Sequence, residues 1–188
     1  MLAFALVAGA CYPMTGQPVG STGAMTPDTR LIGTWKGRVG NDEDDGQVYV
    51  HFLARDEATI EAMMVRPTQG DENGGWSNFA ITTGKVGSRT YLNGAWLLDD
   101  GKPLDDAPPG TTPLYYRFEP GGRLRMFALD SDMVAAAVKS GEIAGTVKEG
   151  WIPEIHVTAD SAALDAFIAA HDPQALFSVD FATLEKID

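Results

Sequence analysis

The residue types that carry out catalysis or bind metals are sparse and scattered in this chain. Its three histidines, His51, His156 and His171, are scattered without close spacing, which is a poor pattern for a metal site. No Gly-x-Ser-x-Gly nucleophile motif occurs. Acidic residues are plentiful, but no spacing selects a pair for general acid and base chemistry. The sequence predicts no metal and no cofactor, leaves enzymatic activity uncertain, and favours a non-enzymatic role over a carboxylate-based hydrolase.

Two polar groups could still bind a ligand, and each has a plainer interpretation. His51 alternates onto the same strand face as Tyr49, so the pair would orient a polar group in a cavity or would simply face solvent. The run 41–46, Asn-Asp-Glu-Asp-Asp-Gly, offers carboxylates to Ca²⁺. With Gly46 at the sixth loop position, Phe52 occupies the twelfth, where an EF-hand requires Glu, so that motif is excluded. A solvated acidic turn is the alternative, because Asp and Gly are also turn residues.

The only cysteine, Cys11, follows an uncharged apolar run from Leu2 to Ala10. This run is far shorter than the roughly 20 residues that cross a bilayer as a helix. It has the length of the apolar core of a secretory signal, and small residues precede the cysteine as a signal peptidase requires. A leader of another type, or a buried N-terminal strand, is the alternative.

The stretch 7–11, Val-Ala-Gly-Ala-Cys, resembles a bacterial lipobox. The resemblance implies that residues 1–10 are a signal segment, that the peptide is cut before Cys11, and that the Cys11 thiol is acylated. In the sorting rule of bacterial lipoproteins, Tyr12 in place of Asp after the cysteine implies an outer-membrane anchor, with the protein facing the periplasm. The chain is thus expected to contact a membrane through its lipid in the cell envelope.

Chain length and net charge limit the number of domains and the kinds of partner that we expect. With 188 residues, the chain is long enough for one domain of ordinary size. Lys and Arg number 14 against 26 Asp and Glu, a formal net charge of −12. Such a field repels phosphate backbones and anionic headgroups, so we expect no nucleic acid partner and no polybasic membrane docking.

The chain divides into a linker and a patterned body. Residues 12–30 are rich in Pro and Gly and lack apolar periodicity, so residues 11–30 are predicted to be a flexible tether. From Leu31 to Asp188, short runs alternate with a period of two between turn residues, which predicts consecutive antiparallel strands in a barrel or sandwich. Two short accessory helices are predicted late in the body. The first, over 131–140, follows Asp130 or Ser131 as a cap, and the second, over 160–171, has one apolar stripe that ends before Pro173.

Gly33-Thr34-Trp35 in the first strand is similar to the Gly-x-Trp signature that opens lipocalin and other calycin barrels. The resemblance implies a closed antiparallel β-barrel over residues 31–188, in which Trp35 packs across the closed end, often beside an Arg of a late strand. Together with the lipobox, the chain resembles a bacterial lipoprotein with a lipocalin-like domain.

Two functions compete on this basis. The first is binding of a small apolar or amphipathic ligand inside the barrel, with lining residues chosen for alternation and aromatic area: Trp35, Phe52, Tyr91 and Tyr115. The second is a structural or assembly lipoprotein that docks an envelope protein through its long loops or an exposed Trp76 or Trp96. Tryptophans that fill the core, Trp151 included, are the plain alternative to such a surface.

Overall fold

The computed structural model describes residues 12–21, 23, 25–40, 47–67, 74–103 and 110–187. Within them the strands are β1 (Met14–Thr15), β2 (Gly33–Val39), β3 (Gln47–Ala54), β4 (Thr59–Arg66), β5 (Gly75–Val86), β6 (Arg89–Asp99), β7 (Lys102–Pro103), β8 (Thr112–Phe118), β9 (Arg123–Ala128), β10 (Gly145–Lys148), β11 (Glu154–Val157) and β12 (Val179–Lys186). The helices are α1 (Ser131–Ser140), α2 (Ser161–Ala170) and α3 (Pro173–Leu176), preceded along the chain by the 3-10 turn Thr29–Leu31.

Eight strands close into an antiparallel barrel in the order β5-β4-β3-β2-β12-β9-β8-β6, and β6 pairs back onto β5. Consecutive barrel strands are neighbours throughout, and the last strand, β12, lies between β2 and β9. This architecture confirms the prediction of a mainly β chain with an antiparallel barrel, and it is consistent with a calycin-like fold. The short β7 adds to the edge of β6 outside the closed ring.

The barrel interior is filled by alternate residues of the strands, as the period of two predicts. Trp35, Phe52, Ile60 and Leu124 are each at most 3% exposed and belong to one continuous apolar cluster with the inward residues of the other strands. Burial of this cluster is the main source of stability for a sheet that has no free edge.

One end of the barrel, which we call the capped end, is closed by the chain just before β2. The indole nitrogen Nε1 of Trp35 donates to the carbonyl of Leu31 at 2.7 Å. The Tyr116 hydroxyl donates from inside the barrel to the Asp28 carboxylate at 2.8 Å, and burial together with this bond raises the pKa of Tyr116. Lys186, rather than an Arg, lies over the Trp35 ring, 5.6 Å from its centroid. The cation that the calycin resemblance implies is thus supplied by the last strand.

An insert between β9 and β12, residues 129–178, contains the three helices and the hairpin β10–β11. α1 begins where its predicted cap places it, and Asp160 caps α2 in the same way. The carboxylates of Asp130 and Asp160 accept from the backbone N–H groups of Met133 and Ala163. Two helices were expected. The structure adds a third, α3, which is a single turn with Pro173 at its start. The insert packs on the outside of the barrel and forms a second apolar cluster there.

The segment predicted to be a flexible tether packs on the domain from Tyr12 onward, which differs from the expectation. β1 pairs in parallel with β11, and Val19 is fully buried. The Asn93 side chain holds the Val19 backbone through two hydrogen bonds. Its oxygen accepts from the Val19 N–H at 2.8 Å, and its NH2 group donates to the Val19 carbonyl at 3.1 Å. Gly84 permits this contact, since a Cβ there would stand 2.4 Å from the Val19 carbonyl oxygen. The Pro and Gly residues of this segment let the chain turn closely against the barrel, and they do not make it a flexible linker.

Candidate functional site

The four residues predicted to line a ligand site do not share a cavity. Trp35 and Phe52 point into the barrel and belong to its core. Tyr91 and Tyr115 point outward and belong to the second cluster, under the insert, with their ring centroids 5.9 Å apart. A single lumen lined by all four is therefore incorrect. The strands that carry the two tyrosines are apolar on both faces, so alternation alone did not indicate which face is inside.

The interior side of the barrel is occupied by large side chains. Trp35, Phe52, Tyr116 and Met126 are between 1% and 4% exposed and lie in the same cluster. A lumenal ligand would have to displace several of them, which costs the free energy of their packing.

The histidines lie apart from one another. His51 stands on the outer face of β3, where its Nδ1 is 2.8 Å from the hydroxyl of Thr34 on the neighbouring strand. His171 ends α2, with its Nδ1 2.8 Å from the Phe167 carbonyl oxygen. Among the described residues no three His, Cys, Asp or Glu side chains approach closely enough to hold a metal ion. The acidic run 41–46 lies outside the described residues.

Exposed apolar side chains instead stand on the outer face of β3, β4 and β5, beside His51 and the hydrogen-bonded pair Asn78–Glu61. Leu53, Met63 and Val65 point away from the barrel core and are 46%, 37% and 38% exposed. Val65 lies opposite Trp76 in the register of β4 with β5, so the indole belongs to the same face. These four side chains form what we call the outer apolar face. An exposed patch of this kind on a soluble domain is typical of a binding surface.

Trp76 is held in place by the turn between β6 and β7. Its backbone N–H donates to the Asp100 carboxylate at 2.8 Å, and its carbonyl accepts from the Asp100 N–H at 2.8 Å. Asp100 has a φ of 46° and Gly101 a φ of 77°, which makes a tight turn of the kind that Asp-Gly favours. The indole lies directly over Gly101, where an added Cβ would stand 3.2 Å from its Cζ2. The turn thus holds the backbone of Trp76 and lies against one face of its ring.

Beside Trp76 the surface forms an open groove of about 540 Å³. Met63, Val65 and Trp76 supply its apolar lining, and Arg66 and Asp100 stand at its rim. Both charged side chains lie above Gly75, where an added Cβ would meet the Asp100 carboxylate at 3.0 Å and the Arg66 guanidinium at 3.4 Å. An apolar floor with a polar rim is the arrangement found in protein interfaces.

The other two candidate tryptophans have different surroundings. Trp96 is half-buried, with its ring centroid 5.1 Å from that of Phe79 and its Nε1 donating to the Leu98 carbonyl. Trp151 is fully exposed on the hairpin between β10 and β11, so for this residue the core-filling alternative is wrong.

Sequence analysis missed Leu53, Met63 and Val65. A signal was present, because the apolar residues Met63 and Val65 alternate in β4 with the inward Ala62 and Met64. A strand with one solvent-exposed face usually carries polar residues on that face. The outer face of β4 therefore departs from this pattern at Met63 and Val65.

Comparison with known proteins gives no match: no family model, no curated protein and no solved structure is similar to this chain. In the part of the chain that the structure describes, the helices are too short or too polar to cross a bilayer. Cys11 lies outside the described residues, and the chain resumes at Tyr12, whose ring packs edge-on against Phe181 with centroids 5.5 Å apart.

Proposed function

We propose that this protein is a non-enzymatic lipoprotein of the bacterial outer membrane that faces the periplasm and docks a partner protein on the outer apolar face. Acylated Cys11 would hold it at the membrane, as the lipobox-like stretch 7–11 implies. The single observation that carries the docking role is the exposure of Leu53, Met63 and Val65 beside the indole of Trp76.

The packed barrel core supports docking over the binding of a small apolar ligand in the lumen. A lumenal binder keeps space for its ligand, whereas Trp35 and Phe52 fill the space here. The apolar groove is instead on the outside, where access needs no rearrangement of the barrel.

The groove favours a protein segment over a bulk lipid surface as the occupant. Trp, Met and Arg are residue types enriched at protein interfaces, and Trp76, Met63 and Arg66 lie together here. The rim carries both signs of charge, so a bound segment with apolar side chains and one charge of either sign could pair with Arg66 or Asp100. The outer face of β3 also lies opposite β8 in the eight-strand ring, away from the wall that the insert covers.

Site-specific photo-crosslinking in intact cells tests the docking role. A photoreactive residue at Met63 or Val65 is expected to yield one reproducible crosslinked protein. The same residue at Thr183, which is exposed on the outer face of β12, is the matched control and should not yield that product. Trp76→Ala should reduce the yield from position 63 by roughly tenfold or more, because it removes the central aromatic contact. Equal products from Met63 and Thr183 would reject the proposal.

Native mass spectrometry separates docking from lumenal ligand binding. The protein is released gently from membranes and examined for an added mass beyond its own acyl chains. A bound small apolar molecule that survives Trp76→Ala but is lost in Phe52→Trp, which enlarges an inward side chain, would favour the lumenal site. A protein free of such a mass is the result that docking predicts.

A further inference from the structure

A hairpin tip of the insert presents an aromatic and an aliphatic side chain to solvent. β10 and β11 pair antiparallel, with Lys148 opposite Glu154, and residues 149–153 form the tip. In this tip Trp151 is 101% exposed and Ile152 is 46% exposed. Full exposure of an indole has a hydrophobic cost that its surroundings in the folded chain do not offset.

The tip lies at the sheet edge from which the chain runs back to Cys11. β1 pairs with β11 in parallel, with Met14 opposite His156 and Thr15 opposite Val157. In a parallel pair both strands begin at the same edge of the sheet. Pro13 and Tyr12 therefore enter β1 from the same edge at which β11 leaves the tip, and the Tyr12 ring packs against Phe181 of the barrel. Cys11 precedes Met14 by three residues in the sequence, which limits the distance between their Cα atoms to about 11 Å.

Charges near the tip are balanced in spite of the acidic chain. The Lys139 ammonium lies 2.6 Å from the Glu149 carboxylate, and the Lys148 ammonium lies 3.0 Å from that of Glu154. These pairs flank the two sides of the tip. An uncompensated acidic cluster would repel an anionic headgroup layer, and ion pairing reduces that repulsion here.

From this placement we propose that the tip formed by Trp151 and Ile152 inserts into the membrane interface as a second attachment point beside acylated Cys11. The inference rests on the lipid anchor of the proposed function. An indole suits this position because its ring is apolar while its N–H keeps a polar partner at the headgroup level. Two weak attachments also act together, since the first holds the second at high effective concentration. With two points fixed, the domain keeps one orientation on the membrane.

Fluorescence quenching on vesicles tests the proposal. The acylated full-length protein is reconstituted in vesicles of phosphatidylethanolamine and phosphatidylglycerol, with and without bromine on the acyl chains. Brominated chains should quench a component of the tryptophan emission that is absent from Trp151→Ser. Trp96→Phe is the matched control, since Trp96 packs against Phe79 in the barrel, and should keep the quenched component. In Trp151→Ser with Ile152→Ser, a carbonate wash should release several-fold more protein than from the parent.

The outcomes distinguish membrane insertion of the tip from acylation of Cys11. Metabolic labelling with palmitate, with Cys11→Ser as the blank, reports acylation alone. Labelled protein with equal quenching in the parent and Trp151→Ser would overturn the tip proposal and leave the anchor intact. Unlabelled parent protein would overturn the anchor, whatever the quenching. If Trp151 emission shifts with protein concentration in the absence of vesicles, the tip contacts a second copy and the membrane proposal is rejected.

Discussion

The barrel carries apolar side chains on its outer wall in two places, and the chain itself covers only one of them. Under the insert, Tyr91 and Tyr115 point outward and meet Phe177, with ring centroids 5.3 Å and 6.3 Å away. On the other wall, Met63 and Val65 point outward in the same way and remain more than a third exposed. The same residue pattern thus has an intramolecular cover in one place and an open surface in the other.

The two walls show what a barrel strand requires when both of its faces carry apolar residues. The inner face is always satisfied by ring closure, so an apolar outer face needs a separate cover. The helices of the insert provide that cover for β6 and β8. For β3 and β4 the structure provides none within the described residues, and the docking proposal supplies it from a partner. Four predictions test this difference, the largest effect first.

Phe177→Ala should destabilise the fold by about 3–5 kcal/mol, because it leaves a cavity in the cluster between insert and barrel. The measurement is the free energy of unfolding from urea titration. Met63→Ala, on the uncovered wall, is the matched control and should change this free energy far less. A similar loss for both variants would show that the two walls are equally structural and would break the comparison.

Asn93→Leu should cost about 1–3 kcal/mol in unfolding free energy. Asn93 is 1% exposed and bonds both the N–H and the carbonyl of Val19, so the substitution leaves two buried backbone groups without partners. Hydrogen exchange should rise in residues 14–21, because this side chain holds the N-terminal segment on the covered wall. Thr183→Leu, at an exposed strand position, is the control. Unchanged exchange in that segment would mean that β1 pairing alone holds it.

Asp130→Ala should cost about 1 kcal/mol, since it removes the cap of α1. A backbone hydrogen bond from Met133 holds the pKa of Asp130 below the usual value for an aspartate, and a bond from the Ser178 hydroxyl adds to this. The folded pKa is therefore lower than the unfolded one. The stability from Asp130 is fully present above about pH 4 and is lost as the pH falls through the folded pKa.

Acid titration of unfolding free energy checks this sign. The difference between the parent and Asp130→Ala should shrink as the pH drops below about 4. Asp132→Asn is the control, because Asp132 is exposed in the first turn of the same helix. A difference that grew toward acid would contradict the assignment of Asp130 as a cap that acts in its charged form.

Local signals in the sequence specified most of the fold. A cap at Asp130 or Ser131 and the apolar stripe after Asp160 placed the two long helices within a residue of their observed starts, and the period of two predicted the barrel strands. What failed was the choice of face for Tyr91 and Tyr115, because that choice depends on where an insert of distant sequence packs. The prediction of a flexible tether over residues 11–30 missed the contacts of Val19 with Asn93 and of β1 with β11 for the same reason, since these contacts are long-range.

The smallest expected effect is the most direct test of the open wall. Met63→Gln with Val65→Thr should change the unfolding free energy by no more than about 0.5 kcal/mol each, since both side chains are partly solvated already. Crosslinking to the partner should nevertheless fall sharply, because the apolar area of the interface is lost. If these substitutions instead destabilised the protein by several kcal/mol, the outer apolar face would be part of the core and the docking proposal would fail.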